Sequence, residues 1–451
     1  MFERVNITGL LDHQRGALAD LVRLQERLRV TLDASDVGTG KTFVGGALIR
    51  HFDEPTLVVC PRSVIPSWER AGEHLGVEFN VLNYEMLRTG RTPFITKKPV
   101  EFTMEDGTRR KYNRFEWAPE VKFVLFDEAH RCNGQTSDQS KLLIRAKAQG
   151  KRIHMMTATP AESPLKMKAM GYALGLFNSP SAWWNWCRGR GCKKGYFGGQ
   201  QFGGTAAQRV AVMQSLNALL FPHRGIRLRV SELPGFPEVA RSVDAIGLPL
   251  KDSEKITALY EEMKQELQAI DAKGRGDNEA IRLTRQRQTV EMLKIPSLLE
   301  MIEDGLEQGM AVAVFVNFRD TISALAARLQ TSCIIWGEQP PDERERNRKA
   351  FQDNESRVIL CTDAGREGID LHDIHGKHPV LALINPGWSA TSFKQVLGRT
   401  HRSGAKSKAI QRILFADKTP EMKVFRKLKG KVDNLDALCD AYGESVLEIL
   451  K

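Results

Sequence analysis

The chain has 451 residues, so one compact domain is not expected and two or three are. Hydrophobic residues at 41% and charged residues at 27% are ordinary for a soluble globular protein, and neither a low-complexity tract nor a fixed short repeat is present. The formal charge of +11 is compatible with a polyanionic partner without requiring one, and no apolar run approaches the ~20 residues needed to span a bilayer, so no membrane partner is expected.

The N-terminal MFERVNITGLLDHQRG lacks the apolar core of a signal peptide. Seven cysteines, an odd number at irregular spacing, suit a reducing compartment. Cys187 and Cys192 have no second pair nearby, so no structural zinc is expected. The expectation is a soluble, cytoplasmic protein.

In chain order, the first segment with chemistry in it is Ser35-Asp36-Val37-Gly38-Thr39-Gly40-Lys41-Thr42. Gly38, Thr39 and Gly40 would let backbone N–H groups turn toward an anion at a helix N-terminus. Lys41 would reach the β and γ phosphates of ATP, and the Thr42 hydroxyl would hold Mg²⁺. The general pattern wants glycine at position 35, where this chain has serine, so an ordinary glycine-rich turn is the alternative.

Short apolar runs at 56–60, 122–126, 153–156, 311–316, 358–361 and 380–384 lack period-two alternation and read as parallel strands buried on both faces. Helical stretches such as 137–148 and 321–329 separate them, which predicts α/β architecture with two doubly wound parallel-sheet lobes. Around Asp106-Gly107, residues 100–117 read as a hairpin with one basic, aromatic arm. That arm is either a wedge or grip for nucleic acid or a solvated surface hairpin.

The run 122–126 delivers Asp127-Glu128-Ala129-His130 to a strand end, where sites in such sheets lie. Asp127 would hold Mg²⁺ mostly through water, Glu128 would orient and deprotonate an attacking water, and His130 would link this site to the second lobe. Thr157-Ala158-Thr159-Pro160 ends another strand; Thr157 and Thr159 are coupling candidates, with a proline-stopped turn as the alternative. Trp183, Trp184 and Trp186 read as anchors of an insertion rather than a stacking platform.

Ile256, Leu259, Tyr260, Met263, Leu267 and Ile270 recur at helical spacing, so helical insertions are expected at about 165–235 and 250–305. Cys361–Leu371 contains Gly365 and Gly368, which permit close backbone approach to a nucleotide or a phosphate. Gln395, Arg399 and Arg402, at i, i+4 and i+7, fall on one helical face and read as arginine fingers with an accompanying glutamine. The segment from 418 reads as an amphipathic helix docking on the second lobe.

Together these segments resemble the superfamily 2 helicase and translocase ATPases, with the Asp-Glu-Ala-His tetrapeptide of a DEAH box. Gln14 matches the adenine-reading glutamine upstream of the phosphate loop. Cys60-Pro61-Arg62-Ser63-Val64-Ile65-Pro66-Ser67-Trp68 and Asn83-Tyr84-Glu85 resemble motifs that touch the nucleic-acid backbone. The proline–serine–tryptophan arrangement, and the stretch from Trp183 through Arg227 and Arg229 to Leu233-Pro234, look like the Swi/Snf-like branch and its annealing-helicase group. That branch usually has glycine where Ala158 stands and asparagine where Asp370 stands.

The resemblance implies two RecA-like lobes: 1–165 with the hairpin, a helical insertion at 166–235, a second lobe at 236–430 with the 250–305 insertion, and a C-terminal helix at 431–451. It implies ATP and Mg²⁺, movement along duplex or branched DNA, and Gly368 and Asp370 beside the nucleotide. Its nucleic-acid contacts would be Arg62, Ser63, Trp68, Tyr84, Asn317, Arg319 and Arg366. The compact chain suggests a phage or bacterial source. RNA as the track, and a non-catalytic binding module with a degenerate nucleotide site, are the alternatives.

Overall fold

All six predicted apolar runs form strands in the computed structural model, which describes residues 9–103, 109–195, 199–233, 237–273, 277–337, 339–362, 369–402 and 404–440. The chain divides into two units, one built from residues 1–193, 202–233 and 434–443, the other mainly from 234–433.

The first unit holds a six-stranded parallel sheet in the order Gly225–Ile226, Val30–Asp33, Arg152–Met156, Phe123–Asp127, Thr56–Cys60, Asn80–Asn83. Its strands split their side chains between two cores. Leu57, Val59, Val124, Phe126, Ile153 and Met155 enter one, while Val58, Cys60, Phe123, Leu125 and Met156 enter the other with Leu18, Leu21, Val44, Leu48 and Trp68. Burial on both faces is why these strands read as unbroken apolar runs.

In the second unit the parallel order is Val239–Ile246, Ala409–Ala416, Val380–Ile384, Ala311–Phe315, Val358–Cys361, Ile334–Ile335. The same alternation holds: Ala311, Ala313 and Phe315 face one core, Val312 and Val314 the other. The α/β expectation of two doubly wound sheets is met.

Three expected boundaries change. Residues 166–235 are not wholly a helical insertion: they contain a small two-stranded sheet of Cys192–Lys194 with Gln200–Phe202, and they return to the first sheet as its edge strand Gly225–Ile226. Within 250–305, helices Leu250–Lys273 and Asp277–Met292 share a small core through Ile256, Met263 and Val290, but Ile295–Glu307 covers the second sheet through Leu298 and Ile302. The terminal helix runs Glu421–Cys439; Phe425, Leu428 and Val432 join the second unit's core, whereas Ala437 and Leu438 join the first unit's.

The hairpin at 100–117 is present and longer than expected. Ile95–Thr103 pairs antiparallel with Arg109–Trp117, in register from Ile95↔Trp117 to Thr103↔Arg109. Its base is rooted in the first unit's core by Ile95, Phe115 and Trp117, so two of the three aromatics expected on the basic arm are structural. The Asp106-Gly107 turn lies outside the described residues. Trp183 is buried with Phe177, Cys187 and Cys192, and Trp184 and Trp186 pack against that cluster, as the anchoring reading requires.

Candidate nucleotide site

The phosphate loop joins strand Val30–Asp33 to helix Lys41–Phe52. Gly40 caps that helix at φ 84°, a left-handed backbone that favours glycine, and a Cβ there would stand 2.1 Å from Gln14 Nε2 and displace it. Gln14 is held at this spot: Nε2 donates to Thr39 O at 3.4 Å while Oε1 accepts from Leu11 N at 2.9 Å. The Thr39 hydroxyl donates to Asp36 O at 2.9 Å.

Lys41 Nζ donates to Ser35 O at 2.8 Å and Asp36 O at 2.9 Å. Burial pushes this lysine below its ordinary range, opposed by the charges of Asp33, Glu128, Asp127 and Asp36. The serine at position 35 has a job that glycine could not do: its Oγ accepts from Leu228 N at 3.0 Å. Serine at position 35 thus ties the loop to the distant segment that carries Leu228.

Asp127 ends its strand in a closed setting. Trp68 Nε1 donates to Oδ2 at 2.9 Å, Glu128 N donates to Oδ1 at 2.9 Å, and the Tyr84 hydroxyl donates to Asp127 O at 2.8 Å. Burial and the neighbouring Glu128 push the Asp127 carboxyl up to about 7, against the Trp68 hydrogen bond and Lys41. A divalent cation beside it would reverse that preference and favour the carboxylate. One carboxylate from Asp127 and one hydroxyl from Thr42 fit a hard cation that takes its other oxygens from phosphates and water. Among the described residues, no cluster of three or more His, Cys, Asp or Glu could hold a metal without such help.

Glu128 adopts a left-handed backbone, φ 50° and ψ 48°, uncommon for a side chain of its size. From there a relay runs along the strand ends. His130 Nδ1 lies 3.2 Å from Glu128 Oε2 and 3.1 Å from Thr157 Oγ1. Thr157 Oγ1 in turn accepts from Thr159 N at 3.1 Å, and Thr157 N donates to Asp33 O at 3.0 Å. The first unit thus brings together Gln14, Lys41, Asp127, Glu128, His130, Thr157 and Thr159.

The expected nucleic-acid contacts divide. Arg62 is exposed and Ser63 half-buried, on the short turn Arg62–Val64. Trp68 and Tyr84 are corrected: both are wholly buried, and they position Asp127 instead of facing a ligand. Trp68 lies on the same helical stripe as Ala71 and Leu75, a spacing visible in the sequence that marks the buried face.

In the second unit Asn317 is drawn inward, which redirects that expectation too. Its N and Nδ2 donate to Glu291 Oε2 at 2.9 and 2.6 Å, and Glu291 also accepts from Phe318 N at 3.0 Å and Thr321 Oγ1 at 2.8 Å. Arg319 is exposed, its guanidinium 5.3 Å from the Trp336 ring centroid. Arg287 lies over both Phe318 and Trp388, and Trp388 is 39% exposed; sequence reasoning missed all of Glu291, Arg287 and Trp388. Arg366 and Gly368 fall outside the described residues.

Gln395 and Arg399 lie on helix Ala390–Thr400 and are buried, with Arg399 Nη1 donating to Ile369 O at 3.1 Å. Arg402 lies beyond the end of that helix, so the three do not share one helical face. Its Nη2 sits 2.8 Å from Asp370 Oδ1. Burial would raise the Asp370 carboxyl, but Arg402 and Arg399 hold it below its ordinary range.

Residues 8–162 match the family model for the res subunit of type III restriction enzymes, and residues 293–404 match the helicase conserved C-terminal domain. A protein of Acanthamoeba polyphaga mimivirus named for ATP-dependent RNA helicase activity is 31% identical over 96% of this chain and 84% of its own length. The SWI/SNF-related regulator of chromatin subfamily A-like protein 1 of Drosophila melanogaster is 24% identical over 89% of this chain and 52% of its own. The DNA annealing helicase and endonuclease ZRANB3 of Mus musculus is 24% identical over 94% of this chain and 40% of its own. The chain thus spans about half or less of these last two relatives.

The chain belongs to the superfamily 2 helicases. It is a nucleic-acid-dependent ATPase of that superfamily, with Swi/Snf-like proteins among its relatives. Among the described residues no helix is long and apolar enough to cross a membrane.

Proposed function

We propose that this protein is a Mg²⁺-dependent ATPase that moves along duplex or branched DNA. The observation that carries the reading is the placement, after strands of one sheet, of the loop that bears Lys41, of Asp127, and of Glu128 joined through His130 to Thr157. Lys41 exchanges the carbonyls of Ser35 and Asp36 for phosphate oxygens. Thr42 and Asp127 would hold Mg²⁺, which would neutralise charge on the phosphates. Glu128 takes the proton of the attacking water, and the His130–Thr157–Thr159 relay senses the change. Gln395, Arg399, Arg402, Gly368 and Asp370 are the second unit's candidates for meeting the triphosphate.

Arg62, Ser63, Arg319 and Arg366 are the candidates for backbone phosphate contact, joined by Arg287 and Trp388. The charge of +11 suits a polyanion of either kind, and the name of the mouse relative, a DNA annealing helicase, supports DNA. A second reading, RNA as the track, is favoured by the name of the mimivirus relative. Turnover measured with duplex DNA, single-stranded DNA and RNA separates the two. Strand-displacement and triplex-displacement assays on the same preparation separate unwinding from movement alone. Lys41→Ala should abolish turnover with every nucleic acid; a fully active Lys41→Ala enzyme overturns the proposal.

A further inference from the structure

The loop that carries Lys41 is gripped by a distant stretch of chain. Gly225–Ile226 pairs in parallel with Val30–Asp33, and a Cβ at Gly225 would stand 2.2 Å from Leu32 O, so only glycine permits this approach. The pairing continues past the strands: Ala34 N donates to Ile226 O at 3.0 Å, Asp36 N to Leu228 O at 3.0 Å, and Leu228 N to Ser35 Oγ at 3.0 Å. The segment 224–230 therefore follows the phosphate loop residue by residue as far as Asp36.

Arg227 fastens this arrangement with its side chain. Nη1 donates to Ala34 O at 2.5 Å, and Nη2 meets Asp36 Oδ1 at 2.7 Å. Nε and Nη2 also form a fork on Asp440, at 2.9 Å to each carboxylate oxygen. Asp36 Oδ2 accepts from Val230 N at 3.0 Å, and Arg229 Nε donates to Asp440 Oδ1 at 2.8 Å. The Arg227 side chain is only 6% exposed. Burial alone would lower its pKa, but Asp36 and Asp440 hold the guanidinium well above its usual range, so it stays charged.

Arg227 and Lys41 thus hold the same short loop at different atoms. Lys41 takes the carbonyls of Ser35 and Asp36; Arg227 takes the Asp36 carboxylate and the carbonyl of Ala34. When Lys41 turns to a triphosphate, its hold on those carbonyls is lost, and the loop is left to its bonds with 224–230 and to the side chain that fastens that pairing. We propose that Arg227 is that positioning residue, and that Asp440 orients it, so that affinity for nucleoside triphosphate depends on a pair of residues that never touch the nucleotide. The inference rests on the ATPase reading. The guanidinium's planar fork serves two carboxylates and a carbonyl at once, which a lysine ammonium cannot reproduce.

The test uses the full chain with Arg227→Lys and, as a milder change at a less buried partner, Asp440→Asn. ATP turnover with a stimulating nucleic acid, equilibrium binding of a fluorescent ATP analogue, nucleic-acid affinity without nucleotide, and thermal unfolding are measured on each. Both variants should raise KM and the analogue's Kd by about tenfold, which corresponds to about 1.4 kcal/mol of lost binding. Their kcat at saturating ATP should stay within about threefold, a change near RT, and nucleic-acid affinity should not move. Combining Asp36→Asn with Arg227→Lys should add little to the single changes. Should Arg227→Lys fail to fold, Asp440→Asn decides alone. A folded variant with wild-type KM and Kd overturns the inference, as does a kcat loss at unchanged KM. A wild-type protein that turns over no ATP would instead overturn the ATPase reading, so the two failures are distinguishable.

Discussion

Trp68 is the most informative side chain to change, because its role is electrostatic and its position is closed. Trp68→Phe keeps an aromatic ring in the pocket beside Phe79 but deletes the N–H that donates to Asp127 Oδ2 at 2.9 Å. A hydrogen bond to a buried carboxylate contributes about 1.5–3 kcal/mol, and 1.36 kcal/mol is about one pKa unit, so the carboxyl should rise by about 1–2 units. It already stands at about 7 before any cation is bound. Mg²⁺ needs the ionised form, so bound metal draws both enzymes' acid limbs downward, but their separation should remain. In a pH–rate profile at fixed Mg²⁺ the variant's acid limb should lie about 1–2 pH units above the wild type's, with equal rates on the alkaline plateau. Raising Mg²⁺ should move both limbs to lower pH, because metal and proton compete for one oxygen pair. Loss of the ring's outer atoms leaves a cavity costing on the order of 1–3 kcal/mol, so thermal unfolding is followed in parallel. A lower Tm with an unmoved acid limb would mean that Trp68 only fills space, and the reasoning would be refuted.

Glu128→Gln should lower kcat by about 10²–10⁴-fold while leaving affinity for an ATP analogue near wild type, checked by turnover and equilibrium binding. Glu291→Ala should destabilise the protein by about 2–4 kcal/mol in denaturant unfolding, because it strands the N–H groups of Asn317 and Phe318 that it now receives. A loss below about 1 kcal/mol would show those groups finding other partners. His154 is fully buried, its Nδ1 lies 2.9 Å from Thr31 Oγ1, and burial lowers its pKa from 6.5 to about 4. The unfolded chain then binds a proton first as pH falls, so stability should drop by about 3 kcal/mol between about pH 6.5 and 4. Denaturant unfolding across that window should show a shallower slope in His154→Gln; identical slopes would exclude His154 as the source.

Much of the nucleotide site could be read from sequence because its signals are local. Gly38 through Thr42 and Asp127 through His130 sit next to one another in the chain, and each follows a short apolar strand. What escaped depends on separation. Nothing near Ser35 announces that its hydroxyl meets an N–H 193 positions later. The edge strand Gly225–Ile226 has two residues and no pattern to find. Val239–Ile246 is half-buried along most of its length, without the unbroken apolar run that revealed its neighbours. Trp68, Tyr84 and Asn317 come to a ligand only through the family resemblance; in this fold their polar tips reach inward to Asp127 and Glu291 and use the same chemistry on the protein itself. Residues 395, 399 and 402 kept their spacing but not their helix, which ends at Thr400.

The edge strand Gly225–Ile226 also sets an order of events during synthesis. A nascent chain that has emerged only as far as residue 200 already carries Lys41, Asp127 and Glu128 on strands that can pair with one another. It lacks the segment that lines the approach to Asp36 and supplies Arg227. On the inference that Arg227 positions the phosphate loop, ribosome-bound intermediates of that length would own every reactive group of the first unit and yet hold nucleotide loosely, so competence to burn fuel would arrive after the chemistry has been laid down.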